Sequence, residues 1–96
     1  MEAIKRVEII VAQFDLPRLK RQLDTLKLNY SVFHHVTGKG DRGPRDDDEV
    51  SGVFGNVCVL CACRPAQVTA LVEVVRPILK RSGGLCIVSD AQGVIH

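Results

Sequence analysis

Val7, Ile9 and Val11 alternate with Arg6, Glu8 and Ile10, so residues 3–12 predict a β-strand. Asp15 then stands where a helix cap is wanted, and Leu16, Leu19, Leu23 and Leu26 recur every three or four positions. That spacing puts one apolar stripe along a helix beginning near Leu16. Residues 29–37 predict a second strand, in which His34 and His35 face opposite sides. Residues 56–63 predict a third. A second helix follows Pro65, with Val68, Leu71, Val72, Val75, Ile78 and Leu79 on one side. Pro77 lies inside it and is expected to kink it or end its regular part. Gly83-Gly84 make a tight turn into a last strand at 85–89, and residues 91–96 add at most a short edge segment.

The order β-α-β-β-α-β predicts an α+β, ferredoxin-like sandwich: a four-stranded antiparallel sheet with both helices on one face. The third strand is apolar on both sides, with Val57, Val59, Cys61 and Cys63 on one and Cys58, Leu60 and Ala62 on the other. A strand facing water would carry polar residues on alternate positions. The helix-free face is therefore expected to be covered by another copy of the chain in a closed, symmetric oligomer.

With 96 residues the chain fits one domain, 1–96, and a core this small gains from self-association. Hydrophobic residues at 46% and charged residues at 25% match an ordinary globular protein. A net charge of +2 and only four aromatics, none of them Trp, argue against nucleic-acid binding. No apolar run approaches the roughly 20 residues of a membrane span, so no direct membrane insertion is expected. No secretion signal is visible and the four cysteines sit in apolar runs, which points to free thiols in a cytoplasmic protein.

The segment 38–55 stands apart: five glycines and Pro44 lie among charges. After Thr37 it begins with Gly38-Lys39-Gly40-Asp41-Arg42-Gly43, a literal G-x-G-x-x-G. A dinucleotide fold needs a helix directly after such glycines, and here Pro44 and the acidic run Asp46–Glu49 follow instead. The physics of the segment still favours an anion. Gly38 and Gly40 let backbone N–H groups come close to a ligand, and Lys39, Arg42 and Arg45 add three cations. The competing reading is a solvated hairpin loop. A structureless stretch of this length is unusual in a compact domain unless it is functional or disordered. Ser82-Gly83-Gly84, beside Lys80 and Arg81, forms a second small-residue turn. A helix C-cap explains Gly83 alone, and close approach by a ligand explains the pair.

Thr37-Gly38-Lys39-Gly40-x-Arg42-x-x-Arg45, placed between the second and third strands, resembles the base of the long T-loop of the PII-like signal proteins. The nearest likeness is to the subgroup associated with carboxysomes and bicarbonate transport. The resemblance covers the whole chain, including the turn at 80–84 and the ending Val88-Ser89-Asp90-Ala91-Gln92. It implies a homotrimer with adenine nucleotides (ADP, AMP or ATP) in the clefts between subunits, and a T-loop at about 38–55 that responds to the ligand and docks on a target. Thr37, Gly38, Lys39, Gly40, Arg42 and Arg45 would then be the phosphate grip, Ser82, Gly83 and Gly84 the opposing turn, and Ser31 and Ala62 the neighbours of the adenine. It also implies bicarbonate as a second ligand, held by Lys39, Gly40 and Arg42, with a bicarbonate transporter or carboxysome-related protein as partner.

Several features depart from the classical pattern. No Tyr lies in 38–55, so the uridylylation site is absent, and the 82–84 turn is short. The chain ends at His96, before the basic residues that classical members carry after the last strand. Each charge-assisted contact contributes roughly 1.5–3 kcal/mol, so ADP or AMP is expected to bind at least as well as ATP.

The cysteines and histidines suggest a second class of function, a small trimeric metal-binding protein of the same fold. Against it, Cys58 and Cys61 diverge on a strand, and no His follows Cys61 and Cys63 at a finger-like spacing. A weak nucleotide hydrolase is a third class, but no general base is readable. The expectation is a regulator, not an enzyme.

Overall fold

A computed structural model describes residues 1–40, 43–45 and 55–96. Strand β1 (Glu2–Ala12) is followed by a 3-10 turn at Gln13–Asp15 and helix α1 (Leu16–Thr25). Next come β2 (Tyr30–Val36), two short strands β3 (Gly38–Gly40) and β4 (Gly43–Arg45), and β5 (Asn56–Cys63). A 3-10 turn at Pro65–Gln67 leads into α2 (Val68–Ser82), which is followed by β6 (Leu85–Gly93). The main sheet has the antiparallel order β2-β5-β1-β6, while β3 and β4 form a separate ribbon. This is the ferredoxin-like plan the pattern predicts, with both helices on one face.

The core lies between that face and the helices. Val7, Ile9 and Val11 of β1 and Val57 and Val59 of β5 are fully buried. Leu19 and Leu23 of α1 and Leu71, Val75 and Ile78 of α2 close over them, as their spacing requires. Helix α1 ends in a Schellman motif: Leu28 N–H donates to the Leu23 carbonyl and Lys27 N–H to the Asp24 carbonyl, each at 3.0 Å. Lys27 takes the left-handed conformation (φ 58°) usually given to glycine, which turns Leu28 into the core.

Four details differ from the sequence reading. Asp15 precedes α1 but has αR backbone angles and makes no cap hydrogen bond. Helix α2 continues past Pro77 to Ser82, so the proline does not end it. Strand β2 carries a bulge between Phe33 and Val36, and His35 sits at φ 61°. The simple alternation expected of His34 and His35 is therefore lost. Strand β6 runs unbroken to Gly93, because Glu2, Ala3 and Ile4 of β1 offer it partners in Gly93, Gln92 and Ala91.

The helix-free face is laid out in rows by the pairing register. Phe33, Cys58, Ile10 and Leu85 form one row, Ser31, Leu60, Glu8 and Ile87 the next, and Ala62, Arg6 and Ser89 a third. Phe33, Leu85 and Ile87 are 54%, 48% and 46% exposed, a large apolar area without cover in the single chain. The face is not uniformly apolar, since Arg6 and Glu8 form a 3.0 Å ion pair in it.

Candidate ligand-binding site

The glycine–basic segment leaves the sheet directly from the edge strand. Thr37 alone separates β2 from the ribbon, in which Gly38 pairs with Arg45, Lys39 with Pro44 and Gly40 with Gly43. The start of the segment expected to be a long loop is thus a small antiparallel hairpin. Arg42 and the acidic run Asp46–Glu49 lie outside the described residues. Thr37, Gly38 and Lys39 are exposed. A Cβ added to Gly38 would meet no atom within 4 Å, so packing within the chain does not require glycine there.

The second turn has structural reasons for both its glycines. Gly83 caps α2 with φ 77°, and its N–H donates to the Leu79 carbonyl at 2.8 Å. Gly84 has φ +120°, and a Cβ there would stand 2.3 Å from the Ile10 carbonyl oxygen. Its missing side chain lets α2 join β6 hard against β1.

The ribbon and the 82–84 turn stand at the same end of the sheet but on opposite edges. Val36 pairs with Asn56, Asn56 with Ala12, and Leu85 with Ile10, so all these strand ends meet at one end. Three strand spacings separate β2 from β6, about 14 Å. The strand ends that lead into the two halves of the expected cradle thus lie on opposite edges of the sheet. Ser31 and Ala62 do share a face: Ser31 pairs with Leu60, and Ala62 follows two positions on. Both are exposed, several residues down the sheet from the ribbon.

One charged contact at this end escapes the sequence reading. Asp15 is 2% exposed, and its Oδ1 accepts a 2.8 Å hydrogen bond from an Nη of Arg81. Among the described residues its Oδ2 has no hydrogen-bond partner. An Asp after a strand reads as a helix cap, and its true partner lies 66 residues away. Nearby, Gln13 N–H donates to the Gly55 carbonyl at 2.8 Å and holds the return of the chain into β5. The Gln13 side chain lies 3.4 Å from His34 Nδ1.

The metal reading gains no support. Among the described residues no group of three or more His, Cys, Asp or Glu could hold a metal ion. All four cysteines are free thiols. Burial pushes Cys61 up to about 11, with smaller contributions from Cys63 and Cys86, and burial also raises Cys58, Cys63 and Cys86. Such groups are protonated near neutrality, whereas a metal needs thiolates. Among the described residues no helix is long and apolar enough to cross a membrane.

No curated protein matches the chain at a significant level. Solved structures do. A nitrogen regulatory PII-like protein, CPII from Thiomonas intermedia K12, bound to ADP, AMP and bicarbonate, superimposes with a TM-score of 0.89 at 22% identity, covering 95% of this chain and 88% of that one. The apo form of the same protein gives 0.79 at 21% identity, covering 95% and 91%. A putative PII-like signalling protein from Thermus thermophilus gives 0.76 at 14% identity, covering 94% and 88%. At these identities the likeness establishes the fold. The sequence itself matches the family described as nitrogen regulatory protein P-II over residues 4–95, and the chain therefore belongs to the P-II family.

Proposed function

We propose that this protein is a PII-like regulator, not an enzyme, that binds an adenine nucleotide between the subunits of a homotrimer. The observation that carries this reading is the placement of Gly38-Lys39-Gly40. These residues form one side of a ribbon at the edge of the sheet, with Gly38 and Lys39 exposed and a glycine at 38 that the chain's own packing does not require. Bare amides next to a cation suit a phosphate. The P-II family match and the ADP and AMP bound to CPII support the choice of ligand.

The trimer reading rests on the helix-free face. Phe33, Leu85 and Ile87 leave an apolar surface that another copy would cover. Edge-to-edge assembly would set the ribbon of one subunit beside the 82–84 turn of the next. Thr37 to Gly40, Arg42 and Arg45 would grip the phosphates from one side, with Ser82, Gly83 and Gly84 opposite and Ser31 and Ala62 near the base. ADP or AMP binds at least as well as ATP on this reading, because Arg81 is held by Asp15 and the short turn adds few other cations.

Bicarbonate is the proposed second ligand, held by Lys39, Gly40 and Arg42, and it is among the ligands bound to CPII. The segment 38–55 would then carry the ligand signal to a bicarbonate transporter or carboxysome component, in keeping with the subgroup resemblance.

Calorimetry with ADP, AMP and ATP tests the core of the reading. Lys39→Ala is expected to weaken ADP binding about tenfold, since charge-assisted contacts contribute roughly 1.5–3 kcal/mol. No binding of ADP or AMP at millimolar concentration, or ATP bound far more tightly than ADP, would overturn it. Bicarbonate drops out if saturating amounts change neither ADP affinity nor hydrogen exchange in 38–55. Equal recovery of a transporter or carboxysome partner with and without ADP would remove the regulatory part.

A further inference from the structure

We propose that Asp15 is a positioning residue that cancels the charge of Arg81 at the 82–84 turn and so sets the preference among phosphate tails. This deepens the nucleotide reading and rests on it. Asp15 is the only buried charged residue among those described, shut between the end of β1 and the start of α1. A carboxylate removed from water requires a cation. Arg81 supplies it from the last turn of α2, at 2.8 Å.

The pairing is asymmetric. The Asp15 side chain is 1% exposed and that of Arg81 49% exposed. The guanidinium therefore reaches solvent two residues before Gly83, where the proposed phosphate would lie, while its orientation and charge answer to the acid behind it. Removing Asp15 would make this end of α2 more positive by one charge toward the ligand. With it, the pair is neutral. The difference falls most heavily on the ligand with most charge, because the interaction scales with the product of charges.

The structure explains in the same way why the acid is not a helix cap. Its backbone is αR and its side chain gives no hydrogen bond to α1, so its role lies toward α2. Among the described residues Oδ2 of Asp15 has no hydrogen-bond partner, so the contact to Arg81 is made through Oδ1.

Calorimetry on the wild type, Asp15→Asn and the double variant Asp15→Asn/Arg81→Gln tests this, with AMP, ADP and ATP as probes. Asp15→Asn is expected to raise ATP affinity relative to AMP by about fivefold, as one unmasked charge near a polyphosphate should. The double variant, neutral again, is expected to return the ratio to the wild-type value. A merely structural Asp15 would lower the melting temperature and change all three affinities by the same factor, which would overturn the proposal. So would an unchanged ratio in Asp15→Asn while the wild type binds normally. Binding of none of the three by any of the proteins would instead bring down the nucleotide reading and this inference with it. A co-crystal of the wild type with ADP decides the matter should the single variant not fold. Arg81 still resting on Asp15 supports the assignment, and Arg81 turned wholly onto the phosphates overturns it.

Discussion

Replacing Gly84 by Ala tests whether the join between α2 and β6 is set by backbone contact. The new Cβ would lie 2.3 Å from the Ile10 carbonyl oxygen and 3.1 Å from Leu79 Cδ2. Leu79 can rotate away, but Ile10 cannot move easily. It lies in the central strand and pairs with Cys58 on one side and Leu85 on the other. The φ of +120° adds its own cost, about 1–3 kcal/mol for a residue with a side chain. Forcing strands apart to make room adds a further 1–3 kcal/mol or so. The expected loss is about 2–6 kcal/mol, which at this chain length lowers the melting temperature by roughly 10 °C or more. Thermal and urea unfolding at one fixed protomer concentration would measure it, since assembly makes the midpoint depend on concentration. Gly38→Ala is the control: nothing lies within 4 Å, and its φ is not among the positive values. Its stability should stay within about 0.5 kcal/mol of wild type. On the proposed function it should nonetheless weaken ADP binding. A Gly84→Ala variant as stable as wild type would refute the close-contact account of this turn.

Other consequences can be measured directly. Phe33→Glu or Ile87→Glu should leave the isolated fold intact, since both side chains are about half exposed in the single chain, and should shift the assembly to monomer in light scattering. Unchanged mass would remove the helix-free face as the contact surface. Cys61, raised to about 11 by burial, should resist a thiol reagent at pH 8 in the folded protein and react once the chain is unfolded in urea. Because its folded value exceeds the ordinary 9.0, its contribution to stability is complete below pH 9 and lost as pH climbs toward 11. A Cys61→Ser variant with the same decline over that window would assign the loss to another group.

Where burial and period agree, the chain reads cleanly. Val7, Ile9 and Val11 alternate because one side of β1 is core, and the leucines of α1 recur because one stripe is core. Departures from the pattern have local physical causes. Pro77 does not end α2, because it is exposed on the outer side of the helix, where solvent can satisfy the Glu73 carbonyl it leaves unpaired. At His34-His35 both side chains are exposed, so no burial pattern could announce the bulge. In the ribbon, glycines among charges look the same in a hairpin as in a loop. The Asp15–Arg81 pair was out of reach because only tertiary packing brings the start of α1 to the end of α2.

The placement of the two small-residue turns ties ligand binding to assembly on the proposed reading. The ribbon continues the edge strand β2, and the 82–84 turn feeds the opposite edge strand β6. The β5 and β1 strands stand between them. Three strand spacings, about 14 Å, separate the two edges. On that reading a nucleotide touches both turns where one edge meets the other edge of a neighbouring copy. Each bound nucleotide would then strengthen a subunit contact, and by linkage the assembly would raise affinity for the nucleotide by the same factor. Variants that separate the subunits should for that reason lose ADP binding even though every residue of the grip is intact.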